Sequence, residues 1–379
     1  MQKKIILAVD SFKGSASSLE IESYIETGIK EILPDVECVK IPIADGGEGT
    51  VEAIVTARKG TYKEVQVQDP LGRSITAHYG LLPDGTAVLE MSKASGITLV
   101  SKEERNPLKA STYGTGQLLL DALNHGATDI YIGIGGSATN DGGLGMVMAL
   151  GAKFYDAENN ELPAEAASLN KIVRVDITDL DKRLAQVNIT ILSDVENPLC
   201  GPYGASHVYG GQKGADEAMK VQLDNYLAHY AKIMKEQLGK DVANVPGAGA
   251  AGGLGAGLLI FTPAKMQKGI DAVLDVIHMS DYIEGAGLVI TGEGRMDHQT
   301  AFGKAPVGIA MLAKERNIPV IAVVGSVALD ADPVYETGIS LIIDVINEPM
   351  GLEEAIANVE TYAIHAGKTV GRIAKKWIL

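Results

Sequence analysis

Three acidic residues sit inside glycine clusters that directly follow apolar, strand-like runs: Asp45-Gly46-Gly47-Glu48-Gly49, Asp141-Gly142-Gly143 and Gly292-Glu293-Gly294. Glycine lets the backbone turn through positive φ and bring its N–H groups up to a ligand. A carboxylate beside it supplies the hard oxygen that holds Mg2+. One such cluster reads as a turn; three point to a shared metal and phosphate site.

Five segments carry the candidate chemistry. In AVDSFKGS, Asp10 ends an apolar run at the place where open α/β sheets put their ligands, and Ser11, Lys13 and Ser15 follow it. Lysine there suits a carboxylate or a phosphate, whereas a helix cap alone would need one such residue. In PIADGGEGT, Gly46 and Gly47 lead into a helix start able to bind an anion, with Asp45 and Glu48 set to ligate a cation or orient a hydroxyl; a plain turn is the alternative. The densest segment is IYIGIGGSATNDGGLGM, where Gly135, Gly136, Ser137, Thr139, Asn140, Asp141 and Gly142 offer hydroxyl, amide and carboxylate groups beside exposed N–H groups, as a phosphate cradle would. In ILSDVENPLCGPYGASHVYGGQKGA, Asp194 ends a strand in the position of a general base or metal ligand, among the polar groups Asn197, Gln212 and Lys213. His207 has no Ser or Cys nucleophile partner and reads as structural. LVITGEGRMDHQTAFGKAP brings Glu293, Arg295, Asp297, Gln299 and Lys304 after another strand, which suits Mg2+ and phosphate, a solvated loop being the alternative. No GxxxxGK[ST] phosphate loop occurs in the chain, and PIADGGEGT is not a GxGxxG with the dinucleotide spacing, since its acid lies inside the loop.

The elements that must position these groups alternate at both ends of the chain. The spacing predicts strand 4–9, helix 18–32, strand 37–43 and helix 49–58, and near the other end strand 288–291, helix 305–316, strands 320–324 and 340–344, and one long helix 352–375. That is the grammar of a parallel α/β sheet. Residues 61–89 instead read as antiparallel hairpins, followed by helix 114–124, strand 130–134, helix 144–150, strand 187–192 and helix 216–238. The reading is therefore α/β: a Rossmann-like parallel-sheet domain formed by both chain ends (1–61 plus 285–379), an inserted second α/β domain (62–284), and an active site in the cleft between them. The glycine-rich stretch 246–258 stands out only as a low-complexity patch.

Composition narrows the class. Lys plus Arg is 33 against 48 for Asp plus Glu, a net charge of −15, which argues against nucleic-acid partners. Residues 5–9 are too short for a signal-peptide core, and no run approaches a membrane span, so a soluble cytoplasmic protein is expected. Cys38 and Cys200 lie far apart without metal spacing and read as two buried thiols.

Taken in order, DSFKGS, PIADGGEGT, NPLKASTYGTG, IGIGGSATNDGG, DVENPLCGPYGA, QKGA, PGAGAAGGLG and TGEGRMDHQTAFGKAP resemble the bacterial type I glycerate kinase family over the whole chain. A small departure stands at Ala16-Ser17, where the family more often has Leu before a small hydroxyl residue. The resemblance implies phosphoryl transfer from ATP, with Mg2+, to the 2-hydroxyl of D-glycerate. For that chemistry Asp194 is the expected base, with Asp45 as substitute, and Lys13 and Arg295 are expected on the glycerate carboxylate because a Lys or a bidentate Arg suits a small acid, in a pocket completed by Asp10, Ser11, Asp45, Gly46 and Gly47. The loop 135–143 would cradle ATP, and Asp141, Glu293 and Asp297 would hold Mg2+. The 3-hydroxyl is the alternative acceptor. A Mg2+-dependent phosphatase is the rival chemistry, but its Asp-x-Asp spacing occurs only at Asp179/Asp181 and Asp330/Asp332, in turn-like surroundings.

Overall fold

The computed structural model describes residues 4–47 and 49–377; the expectation for Glu48 lies outside the described residues. The chain forms two compact units. One takes the described residues up to Asp45, Glu52–Arg58, and those from Ile270 onward; the other takes the described residues of 46–51 and 59–269.

The first unit is built on five strands, all parallel, in the order Leu341–Asp344, Val320–Val324, Ala286–Gly292, Lys4–Val9 and Cys38–Lys40. The central runs IILAV, LVIT and VIAVV are buried because helices cover both faces of such a sheet. Helix Ser18–Ile32 starts at a capping box between Ser17 and Glu20 and turns Ile21, Ile25 and Ile29 onto the sheet, against Ala363, Ala366 and Val370 of helix Val359–Trp377. Truncating any of these isoleucines to alanine would cost about 2–5 kcal/mol. The expected helix 352–375 is two helices, Leu352–Ala357 and Val359–Trp377, divided where Asn358 leaves helical geometry at φ −114°, ψ 18°. The expected strand 37–43 is shorter, and Ile43 keeps only an isolated bridge to Asp10.

The second unit carries six strands in the order Lys265–Gln267, Asn188–Leu192, Asp129–Gly133, Ala87–Glu90, Ser74–Leu81 and Thr61–Gln68. The first four run parallel and the last two pairs antiparallel, so the expected hairpins are the outer half of a mixed sheet. Its largest sequence-level omission is the glycine-rich patch, which forms helix Ala250–Phe261 with three consecutive left-handed residues inside it, Ala251, Gly252 and Gly253 (φ 55°, 67° and 89°). A Cβ at Gly252 would stand 2.0 Å from the Thr139 carbonyl oxygen, and the Gly142 N–H donates to the Gly252 carbonyl at 3.1 Å. The patch lacks side chains because backbone packs directly on the loop of residues 139–143.

Candidate active site

In the first unit, register sets the site. Val9 pairs with Gly292, so the residues that follow, Asp10 and Glu293, leave neighbouring strands at the same carboxyl edge, and the Asp10 N–H donates to the Gly292 carbonyl at 2.9 Å. Asp10 is only 7% exposed; burial, reinforced by the negative charges of Asp45 and Glu293, pushes its carboxyl up to about 7, against the pull of Lys13 and the Ser11 N–H. That N–H donates to Asp10 Oδ1 at 2.7 Å. Lys13 Nζ lies 3.6 Å from Asp45 Oδ2 and is well exposed; partial burial works against its charge, but Asp45, Asp10 and Glu293 outweigh it and raise its pKa. Glu293 is raised by burial despite a 2.5 Å hydrogen bond from Thr300 Oγ1 and Lys304 Nζ at 3.4 Å.

Two helical residues aim this edge from behind. Ser18 Oγ donates to the Val9 carbonyl at 2.5 Å and accepts from the Ile43 N–H at 3.0 Å, which clasps the segments that deliver Asp10 and Asp45. Glu22, fully buried, accepts the Val9 N–H at 3.0 Å. Neither stands out in the sequence, because both occupy an ordinary helix face. Of the other expected residues, Arg295 is exposed on the short strand Arg295–Met296, while Asp297 accepts the Gln299 N–H at 3.0 Å and caps the turn His298–Phe302.

In the second unit, Glu90, Gly133, Leu192 and Gln267 stand in register across the carboxyl edge of the four parallel strands. Asp194 follows two residues after Leu192, exposed, with Oδ1 accepting the Gly269 N–H at 3.0 Å. Gly46 is seated beside it at φ 89°, where a Cβ would meet Gly269 Cα at 2.6 Å and Leu192 Cβ at 3.2 Å. Only glycine fits there. Glu90 is the residue that sequence reading passes over: 2% exposed, it accepts the Val51 N–H at 2.9 Å through Oε1, and its Oε2 faces Lys93 Nζ at 3.6 Å. Its signal was an acid ending an apolar run, as at Asp10.

The glycine loop departs most from expectation. Gly135 and Gly136 are exposed, Gly136 at φ 71°, and the Ile97 N–H donates to the Gly136 carbonyl at 2.8 Å. Ser137, Thr139, Asn140, Asp141 and Gly142 are buried, so the hydroxyl, amide and carboxylate expected to face a ligand point inward instead. Asp141, fully buried, accepts from Thr112 N–H and Oγ1 (both 2.8 Å), Gly145 N–H (3.1 Å) and Gly143 N–H (3.2 Å). Burial raises its pKa, and these donors oppose the rise. With its oxygens so engaged, it is a strut of the loop rather than the metal ligand and ATP contact the sequence suggested. Asn140 Nδ2 donates to Ser206 Oγ at 2.9 Å.

Among the described residues, no group of three or more His, Cys, Asp or Glu side chains is gathered as a metal site. The donor chemistry of the Asp10, Asp45 and Glu293 edge nonetheless fits Mg2+: like charges crowd there, and this ion is usually held by one or two carboxylates plus phosphate oxygens and water. Both cysteines are free and half-buried rather than fully buried, with burial pushing the Cys38 thiol up to about 11.

These edges have counterparts in known proteins. A family model described as the glycerate kinase family matches residues 5–375. A glycerate 2-kinase of Escherichia coli (strain K12) is 49% identical over 353 residues, 93% of each chain, and a glycerate kinase of Halalkalibacterium halodurans is 45% identical over 374 residues, 98% of each. A crystal structure from Salmonella typhimurium LT2, assigned as a glycerate kinase 2, superposes with a TM-score of 0.90 at 44% identity over 99% of both chains. Likeness of this extent reaches every segment from which the two edges are built, and the chain belongs to the glycerate kinase family.

Proposed function

We propose that the chain transfers the terminal phosphoryl group of ATP to the 2-hydroxyl of D-glycerate, giving 2-phosphoglycerate. The observation that carries this reading is near-full-length likeness to a protein named glycerate 2-kinase. The acid and lysine group at Asp10, Lys13, Asp45 and Glu293 suits it. Phosphoryl transfer asks a protein chiefly to position its substrates, stabilise charge and accept one proton.

In this reading Lys13 and Arg295 hold the glycerate carboxylate, and Ser11, Gly46 and Gly47 shape the pocket around it. Asp194, exposed and oriented by the Gly269 N–H, accepts the hydroxyl proton; Asp45 is the second candidate. The backbone of Gly135 and Gly136 receives the ATP phosphates. Bound with ATP, Mg2+ would supply charge neutralisation at the phosphates, held by Glu293 with Asp10 or Asp45. Asp297 is left to its turn. Substitutions at the assigned residues of either unit should lower kcat/KM.

The rival phosphatase is less well supported, since Asp179 pairs with Lys153 at 2.7 Å, Asp181 caps a turn and Asp330 pairs with His298 at 3.0 Å. No described helix is long and apolar enough to cross a membrane, and we assign the work to the cytoplasm, where ATP is abundant. Incubation with D-glycerate, Mg2+ and ATP followed by 31P NMR tests the whole reading. 2-Phosphoglycerate is expected; 3-phosphoglycerate would move the acceptor hydroxyl, and inorganic phosphate alone would favour the hydrolase.

A further inference from the structure

Lys213 is the only lysine among the described residues that is buried, at 2% exposure. Its Nζ donates to Ser137 Oγ and to the Thr139 carbonyl, each at 2.7 Å. The turn that carries it is rigid: the Lys213 N–H donates to the Gly210 carbonyl at 3.0 Å, and Arg105 Nη1 donates to the Gln212 carbonyl at 3.2 Å. Gly214, at φ 97°, brings the chain so close to Arg105 that a Cβ would meet its carbonyl oxygen at 2.5 Å.

An ammonium is costly to bury, and among the described residues no carboxylate pairs with this one. Asp141 is the opposite charge that favours it, yet the Asp141 oxygens are engaged by Thr112, Gly143 and Gly145. Burial accordingly pushes the amine down to about 7. Packing alone would be served better by methionine, which fills the same length without a charge. What lysine adds is a grip on two points of one loop, immediately after its exposed glycines.

We propose that Lys213 is a positioning residue for phosphoryl transfer: by holding Ser137 and Thr139 from inside the second unit, it sets the backbone of Gly135 and Gly136 that meets the nucleotide. This rests on the reading of residues 135–143 as the phosphate loop. Lys213 touches no substrate in this account. It acts through the loop, so its removal should weaken nucleotide binding selectively rather than lower every kinetic constant together.

The test compares Lys213→Met, Ser137→Ala and Gly136→Ala in the full chain, by KM for ATP and for D-glycerate, ADP affinity by calorimetry, and thermal unfolding. Gly136→Ala strains the exposed loop directly, since its φ disfavours any side chain while its nearest non-bonded neighbour, Ser92 Cβ, is 3.6 Å away. Lys213→Met is expected to raise KM for ATP and Kd for ADP at least fivefold with KM for D-glycerate within twofold, and Ser137→Ala to follow in the same direction with a smaller change. A folded Lys213→Met protein with ADP affinity within twofold of wild type, while Gly136→Ala loses affinity, overturns the role of Lys213 and leaves the phosphate loop standing. If neither variant weakens ADP, the loop reading itself fails and the proposal falls with it. Should Lys213→Met not fold, Ser137→Ala decides: unchanged ADP affinity overturns the proposal.

Discussion

The two units treat charge at their carboxyl edges in opposite ways. In the first, Asp10 lies close enough to Asp45 and Glu293 for their charges to raise its pKa, with Lys13 beside Asp45 and Lys304 beside Glu293. In the second, Asp141 and Lys213 lie in the interior with hydrogen-bond partners, and what the glycine loop shows to the surface is backbone at Gly135 and Gly136. In the proposed function the first edge, which would receive a cation and a small acid, keeps its charges outward, while the glycine loop, which would receive phosphate oxygens on N–H groups, needs a stiff backbone that its buried charges help to hold. Asp194, an exposed carboxylate two residues past its strand, differs from those buried charges, and in the proposed function it accepts the hydroxyl proton.

The sharpest challenge is therefore Asp194→Asn. Losing a general base should lower kcat by about 10²–10⁴-fold with both KM values within about threefold, since the amide keeps the shape and an oxygen for the Gly269 N–H. Turnover within tenfold of wild type would remove Asp194 from the role and pass it to Asp45.

Next in size is Asp141→Ala, which tests whether the second unit's charge is structural. It leaves the Thr112, Gly143 and Gly145 N–H groups without their acceptor in a dry interior and should cost about 3–5 kcal/mol in denaturant unfolding. If the variant keeps wild-type stability but loses Mg2+-dependent activity, the contrast between the units breaks and Asp141 returns to the metal.

Asp10→Asn should act with the opposite sign. The Asp10 carboxyl rises from its ordinary value of 3.8 to about 7 on folding. Between those values the folded state holds the extra proton, so the group's contribution favours folding at low pH and is lost as pH rises through 7. Above pH 7 the charged carboxylate is a net cost, of order 2–4 kcal/mol, which the amide removes. Without ATP and Mg2+, Asp10→Asn should thus melt higher than wild type, by more at pH 8 than at pH 5, while its activity falls. A gain independent of pH would mean that the crowded acids carry no penalty.

Much of this contrast was legible in the sequence, for reasons of chain geometry. Buried parallel strands read as apolar runs, and Asp10, Asp194 and Glu293 follow such runs within one or two residues, so they fall at carboxyl edges on sequence alone. Side-chain direction was not legible. Ser137, Thr139, Asn140 and Asp141 look like ligand groups because polar residues in a glycine loop usually face water, and here the covering backbone of residues 250–257 turns them inward. That covering helix escaped notice because three left-handed residues interrupt its period. Glu90 was not legible because its partner, Val51, is distant in sequence, and Lys213, read only as a polar group near Asp194, could not be tied to Ser137 for the same reason.

The smallest effect separates the two edges by substrate. Arg295 is exposed on a two-residue strand, so Arg295→Lys should leave unfolding within about 0.5 kcal/mol of wild type. Lysine keeps the charge but loses the planar fork that grips both carboxylate oxygens, and KM for D-glycerate should rise by about three- to tenfold with KM for ATP unchanged. The same substitution raising KM for ATP instead would put Arg295 on the phosphates. The first unit's edge would then serve the nucleotide as well as the acid, and the division of labour between the two edges would have to be redrawn around Lys13 alone.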